Sequence, residues 1–213
     1  MTVDETVSII ILGESTVGKT SILRRKHKIY KISRYTLDKY TGDYLASLGV
    51  DYLTKEEVIN NKNIKIKLWD TGGQEAYHSI SKNYIKRCDG VIIVFDITNK
   101  NSFDKMNYWI KLISDNTDSE KNVKQIIIGN KIDLEQERKV KKEEIEKLVS
   151  EYNINHFETS AKEDIGIKDA IFSLVNDILK EKEKNNKKQG IKIGKNNKDD
   201  EEHSDKNKCC IKV

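Results

Sequence analysis

The stretch Gly13-Glu14-Ser15-Thr16-Val17-Gly18-Lys19-Thr20 constrains this chain more than any other. It reads G-x-x-x-x-G-K-T, and the residues on either side follow two different patterns. Before it, Val7-Ser8-Ile9-Ile10-Ile11-Leu12 is a short apolar run rich in β-branched residues, which predicts a buried strand. After it, Ser21-Ile22-Leu23-Arg24-Arg25 continues as helix. Strand, glycine loop and helix in that order make a phosphate-binding loop. Gly13 and Gly18 let the backbone bend so that its N–H groups point inward at phosphate oxygens, and the helix N-terminus adds partial positive charge. Lys19 is expected to reach the β- and γ-phosphates, and the Thr20 hydroxyl to ligate Mg²⁺. Ser15, Val17 and Ser21 complete the expected phosphate contacts. The competing reading, a glycine turn that ends in Lys-Thr by chance, weakens as the rest of the chain is read.

Strand and helix patterns alternate almost to the end. Residues 20–39 read as a long first helix running into a loop. Residues 50–59 and 64–69 alternate as two strands around Asn60-Asn61-Lys62-Asn63, a hairpin signal. Val91–Phe95, Ile126–Gly129 and His156–Thr159 read as further strands. Ser102 to Ile113 reads as one helix, with Phe103, Met106, Trp109, Ile110 and Ile113 on one face. Residues 141–152 form a short helix, and Ile167, Ile171, Leu174, Val175, Ile178 and Leu179 mark the last one. This order predicts an α/β fold with a six-stranded, mostly parallel sheet flanked by helices, the hairpin's first strand being antiparallel. Ligands of such sheets bind at the carboxyl ends of the strands. Proline is absent, so the turns fall to Gly, Asn, Asp and Ser.

Three more strand ends carry chemistry. Asp70-Thr71-Gly72-Gly73-Gln74-Glu75 follows the strand ending at Trp69. Asp70 suits holding Mg²⁺ through water, Gly73 can offer its N–H to a γ-phosphate, and Gln74 can orient a water for in-line attack. The other reading is a turn with a capping aspartate. Asn130-Lys131-Ile132-Asp133 follows the strand Ile126–Ile128. Asp133 can accept two hydrogen bonds from guanine, a donor pair that adenine lacks. Asn130 can tie this loop to the phosphate loop, and the Lys131 stem can cover the base. An Asx turn is the competing reading of that tetrapeptide. After the last strand comes Thr159-Ser160-Ala161-Lys162, where the Ala161 N–H is expected to meet the guanine O6.

Charge narrows the class further. The 39 basic residues are matched by 35 acidic ones, which is too balanced for the clustered basic footprint of a nucleic-acid binder. Three cysteines, Cys88, Cys209 and Cys210, give no disulfide framework or zinc spacing, which fits a reducing, intracellular setting. The first residues do not read as a signal peptide, and no apolar run approaches the ~18 residues of a membrane span. From about Glu181 the composition shifts to Lys, Asn, Asp and Glu, which predicts a domain over residues 1–180 and a disordered tail over 181–213.

Taken together, G-E-S-T-V-G-K-T, W-D-T-G-G-Q-E, G-N-K-I-D and E-T-S-A-K resemble, in order and near-spacing, the motifs of a Ras-superfamily small GTPase. Leu48-Gly49-Val50-Asp51-Tyr52, Ile92-Ile93-Val94-Phe95-Asp96-Ile97-Thr98 and the paired terminal cysteines make it similar to a Rab. The resemblance implies a GTP/GDP switch in vesicle traffic that uses Mg²⁺, hydrolyses GTP slowly and depends on a GTPase-activating protein. It implies an exchange factor, effectors, an escort protein and a GDP-dissociation inhibitor as partners, with no nucleic acid. It also implies geranylgeranyl groups on Cys209 and Cys210, holding the chain to the cytoplasmic face of an intracellular membrane. Tyr40 then looks like the aromatic at the guanine edge, and Ser47 takes the place of the family's Mg²⁺-binding threonine. Tyr52, Trp69 and Tyr84 fall where Rabs keep an aromatic cluster read by effectors; ordinary packing at a sheet surface is the other reading of those three.

Three departures stand against that pattern. Ser47 lacks the methyl that stiffens threonine, and Gly72 stands where Rabs usually have alanine. Removing the nine residues Lys26–Arg34 restores the family spacing; a longer helix, a bulge or an error in the gene model would each account for them. His27 within that insert reads as a solvated surface residue. Ser47 and Gly72 motivate a second reading, a nucleotide-locked prenylated scaffold with little hydrolysis. An ATP-using enzyme is a third, against which Asp133 argues.

Overall fold

The structure, a computed structural model, describes residues 2–26, 50–71, 83–117 and 121–196. Its centre is a six-stranded sheet of order β2-β3-β1-β4-β5-β6. The strands are β1 (Glu5–Leu12), β2 (Val50–Ile59), β3 (Lys62–Thr71), β4 (Gly90–Asp96), β5 (Lys124–Asn130) and β6 (Asn155–Thr159). All neighbours pair in parallel except β2 with β3, as the alternation and the hairpin signal lead one to expect. The hairpin turn is tighter than its four polar residues suggest. Only Asn60 and Asn61 lie outside the strands, with φ of 52° and 61°, the pair of positive angles that a two-residue type I′ turn needs.

The central strands read as unbroken apolar runs because helices cover both of their faces. Every residue of β4 is buried. On one face Ile10, Leu12, Val91, Ile93, Phe95 and Ile127 form one cluster with residues of three helices, α2 (Lys100–Asp104), α3 (Met106–Asn116) and α4 (Lys142–Tyr152). Burying each such side chain contributes roughly 1.5–3 kcal/mol. On the other face, Leu174 and Ile178 of the last helix, α5 (Ile167–Asn196), lie over Gly90. The first helix, α1 (Lys19–Lys26), buries Ile22 and Leu23.

The helix expected over Ser102–Ile113 is two helices. The break falls at Lys105, which sits at φ −81°, ψ −3° and whose N–H bonds to Phe103 O. Both pieces turn the expected residues inward, so the periodicity located the buried face and not the break. Asn99 starts α2 by accepting from the Asn101 N–H at 3.1 Å, so the helix begins before Ser102.

The chain divides into residues 1–178, which carry the sheet, and residues 179–213. The described part of the second unit, 179–196, is helical and continues α5 past the point where composition predicts a tail. Lys and Glu are good helix formers, and a helix already nucleated extends at little cost. Residues 197–213, with Cys209 and Cys210, lie outside the described residues, as do residues 27–49 with most of the insert.

Candidate functional site

The phosphate loop joins β1 to α1 at the carboxyl end of the sheet, where the topology predicts a ligand. Its first glycine lies hard against the next strand. A Cβ on Gly13, at φ +139°, would stand 2.2 Å from Val94 O, so only glycine lets the loop turn there. Val17 is fully buried and Ser15 exposed. The Gly18 carbonyl accepts the first helical bond, from Ile22 N–H at 2.9 Å. No acidic residue occupies the first turn of α1, so its positive end is left to an anion. The loop is thus a cradle that side chains would fill, and it fits a phosphate.

Lys19 crosses this cradle. It is 5% exposed, and its Nζ donates to Gly13 O at 2.8 Å and Glu14 O at 2.6 Å. Burial pushes its pKa down to about 8, against the opposing pull of the Asp70 and Glu14 carboxylates. Below that value the ammonium stays charged in the free protein. Above it, phosphate oxygens arriving beside Nζ restore the charge, so binding takes up a proton. Calorimetry of GDP binding at a pH of about 8.5, in buffers of differing ionisation enthalpy, should therefore show net proton uptake. Uptake should vanish near pH 7, where both states hold the proton. No uptake at the higher pH would remove Lys19 from the phosphate site.

Asp70, the last residue but one of β3, lies opposite Ile11 and is 4% exposed. Its Oδ2 accepts from Thr20 Oγ1 at 2.6 Å. A hydroxyl and a carboxylate thus meet beneath the loop, the hard oxygen donors that suit Mg²⁺. No cluster of three or more His, Cys, Asp or Glu that could hold a metal occurs among the described residues. Two protein donors leave further positions to phosphate and water, which is how Mg²⁺ is usually held.

The two loops expected from sequence to meet the base come together at Asn130, which is 1% exposed. Its Nδ2 donates to Val17 O in the phosphate loop at 2.9 Å. Its Oδ1 accepts from Thr159 Oγ1 at 3.2 Å and from Ala161 N–H at 3.1 Å. The tie expected between the two loops is therefore present and reaches a third. The Ala161 N–H, read from sequence as a guanine donor, points at Asn130 here, and a base would have to share it. Asp133 Oδ1 accepts from Ser160 Oγ at 2.6 Å, and Lys162 Nζ stands 4.0 Å from Asp133 Oδ2. Ser160 in turn accepts from the Glu163 N–H at 3.0 Å. One carboxylate is thereby held in a fixed direction between two loops.

Lys131 takes a left-handed backbone conformation, φ 71°, and its Nζ is held 2.6 Å from Asp96 Oδ2. Asp96 Oδ1 accepts from the Thr98 N–H and hydroxyl, both at 2.8 Å. Sequence reasoning missed Asp96 as a site residue, although a buried carboxylate at the end of an all-apolar strand is a signal for one. Trp69 and Tyr84 pack with ring centroids 4.8 Å apart, and Tyr52 lies opposite Trp69 in the ladder. Tyr40, Ser47, Gly72, Gly73 and Gln74 lie outside the described residues. Cys88 is a core residue: it is buried, its thiol bonds to Ile85 O at 3.3 Å, and burial pushes its pKa up to about 12.

A family model described as the Ras family matches residues 8–180. The chain is 36% identical over 176 residues to Ras-related protein Rab-13 of Rattus norvegicus, covering 83% of this chain and 81% of that protein. It is 34% identical over 196 residues to Ras-related protein Rab-8A of Mus musculus, covering 91% and 89%.

Proposed function

This chain belongs to the Ras family of small GTPases, on its Rab branch, and from that premise we propose how its own residues work the switch. It is a GTPase that alternates between GTP- and GDP-bound states in vesicle traffic, with Mg²⁺ as cofactor. It works at intracellular membranes with exchange factors, activating proteins and effectors. Membership favours this cycling enzyme over a nucleotide-locked scaffold.

The observation that carries the site assignment is the meeting of Thr20 and Asp70 at 2.6 Å beneath a loop that Asn130 ties to the base side. Thr20 and Asp70, with Ser47, hold the metal. Bound Mg²⁺ supplies positive charge to the phosphates. Gly13, Ser15, Val17, Gly18 and Ser21 surround the phosphates with backbone N–H groups and hydroxyls. Lys19 exchanges its carbonyl acceptors for phosphate oxygens. Tyr40 packs at the base, Asp133 reads it, Lys131 covers it, and Ser160, Ala161 and Lys162 close its far side. Gly73 donates to the γ-phosphate, and Gln74 orients the attacking water.

Positioning of one water and charge from Lys19 support only slow hydrolysis, and no arginine of the chain is assigned to the transition state. An activating protein supplies that charge, worth roughly 10³–10⁵ in rate in related systems. The experiment is single-turnover hydrolysis of bound GTP with and without such a protein. Gln74→Leu should slow both rates by an order of magnitude or more while leaving GTP affinity nearly unchanged. Equal rates in the two proteins would mean that Gly72 has already disabled this loop.

At the other end, Cys209 and Cys210 carry geranylgeranyl groups, added with an escort protein and sheltered by a GDP-dissociation inhibitor during return to the cytosol. No helix among the described residues is long and apolar enough to cross a membrane. One lipid chain anchors only marginally, and Asp199-Asp200-Glu201-Glu202 and Asp205 offset the basic residues that would help it. Either single Cys→Ser change should leave weak, misplaced binding at the cytoplasmic face, and the double change a cytosolic protein. Fractionation that still finds the double variant on membranes would overturn this anchor.

A further inference from the structure

Several cations of this chain have a carboxylate in reach. Lys100 lies 2.7 Å from Glu144, Arg138 bridges Glu135 and Glu158, Lys131 has Asp96, and Lys55 has Glu57. Lys65, Lys67, Lys86 and Arg87 make no such pair among the described residues. The fold brings these four to one side of the sheet.

Lys65, Lys67 and Trp69 alternate along β3 and so share a face, while Ile64, Ile66 and Leu68 are buried on the other. Tyr84 packs on Trp69, and the Arg87 and Cys88 N–H groups turn back to Tyr84 O at 3.0 and 2.9 Å. Next, Asp89 N–H donates to Ser8 O at 2.7 Å, and Ser8 N–H donates to Asp89 Oδ2 at 2.8 Å. Ser8 is the β1 partner of Lys67. Lys86 and Arg87 therefore occupy a turn that begins at Tyr84, over Trp69, and ends against Ser8, with Lys67 on the next strand across. Lys121 reaches the same turn, its Nζ donating to Lys86 O at 3.2 Å. The other partners of the two lysines on this face are Thr6 and Thr54, both hydroxyls, and Glu56, which is opposite Lys65. Among the described residues the other nearby carboxylates are Asp89, which is held by Ser8, and Asp4, whose Oδ2 accepts from the Asn63 N–H at 2.7 Å. Val58, 65% exposed, lies on the same face toward the hairpin.

We propose that this face docks an extended acidic segment of a partner protein. Lys65 and Lys67 are half-buried, so their stems are held along the sheet and their charges are largely ordered before binding. Alternate residues of an extended chain repeat every ~6.6–6.8 Å, the repeat that separates two lysines at i and i+2 on a strand. Carboxylates at alternate positions therefore meet Lys65 and Lys67 in register, with Lys86 and Arg87 flanking them. The hydroxyls and charges that surround Val58 on this face suit a peptide better than a bilayer, which rewards a wide apolar face. The surface lies on the half of β3 away from Asp70, so the proposal stands apart from the nucleotide assignment.

The test uses the full chain loaded with GDP and a fluorescent peptide alternating glutamate and serine. Anisotropy should report binding that weakens as salt is raised. Lys65→Gln/Lys67→Gln and Lys86→Gln/Arg87→Gln should each weaken it about tenfold or more, and Lys147→Gln should not. GDP affinity and the unfolding temperature should stay unchanged in all three, which separates failure here from failure of the nucleotide site. Undiminished binding by both double variants would overturn the proposal. So would binding of phosphatidylserine vesicles or a single-stranded oligonucleotide without binding of the peptide.

Discussion

Asp133→Asn is expected to lose GTP by a factor on the order of 10³ or more and to gain xanthosine triphosphate in its place. The size of the effect follows from how firmly the carboxylate is held. Oδ1 accepts from Ser160 Oγ at 2.6 Å, and Ser160 is itself fixed by accepting from the Glu163 N–H. Asp133 therefore presents acceptors in one direction and cannot swing to hide a mismatch. Guanine brings two donors to that point, its N1–H and its amine. Asparagine meets one of them with an NH₂, donor against donor, and a buried polar group is left unpaired. Xanthine replaces the amine with a carbonyl, and the new NH₂ then finds an acceptor. The serine hydroxyl can donate to the asparagine amide oxygen as it does to the carboxylate, so the loop itself should survive. Competition between the two nucleotides for the variant measures the switch. Unchanged GTP affinity would show that the base is read elsewhere.

Asn130 and Asp133 stand out in the sequence because few other residues could perform the tasks proposed for them, and the Asn130 tie to the phosphate loop is present in the structure. The sheet was legible for a similar reason: unbroken β-branched runs between polar turns leave few other structures open, and the hairpin declared its own antiparallel pairing. What stayed hidden depends on atoms meeting across the fold. Nothing local marks Lys105 as a break, since the apolar spacing runs through it from Phe103 to Ile113. Nothing in G-K-T says that Lys19 turns onto the Gly13 and Glu14 carbonyls, which is a contact within the loop's own curve. Asp96 was visible only as the end of a strand, and its hold on Lys131 spans two elements. The cations on β3 and after Tyr84 gave no sign of forming one surface, because a serine of β1 brings them together.

The residue with the most to lose is Asn130. Replacing it with alanine would leave Val17 O, Thr159 Oγ1 and Ala161 N–H each without the partner the amide now supplies. Each buried group left unsatisfied costs roughly 1–3 kcal/mol, so the loss is on the order of 3–9 kcal/mol if the site does not relax. That is a large part of the 5–15 kcal/mol that keeps a domain folded. The damage should fall on the ligand as much as on the fold, since the phosphate loop and both base-reading loops lose their common tie. GDP should dissociate at least a hundredfold faster, and the free protein should unfold at a markedly lower temperature than the bound one. Gly18→Ala attacks the same bond from the other side, because a Cβ there would stand 2.3 Å from Asn130 Nδ2, at a φ of +97° that alanine rarely adopts. It should reproduce the fast release. Thr159→Val removes only one of the three bonds and should cost about 1 kcal/mol, with GDP release nearly normal. If Asn130→Ala instead releases GDP as slowly as Thr159→Val does, the three loops are held by something other than this amide.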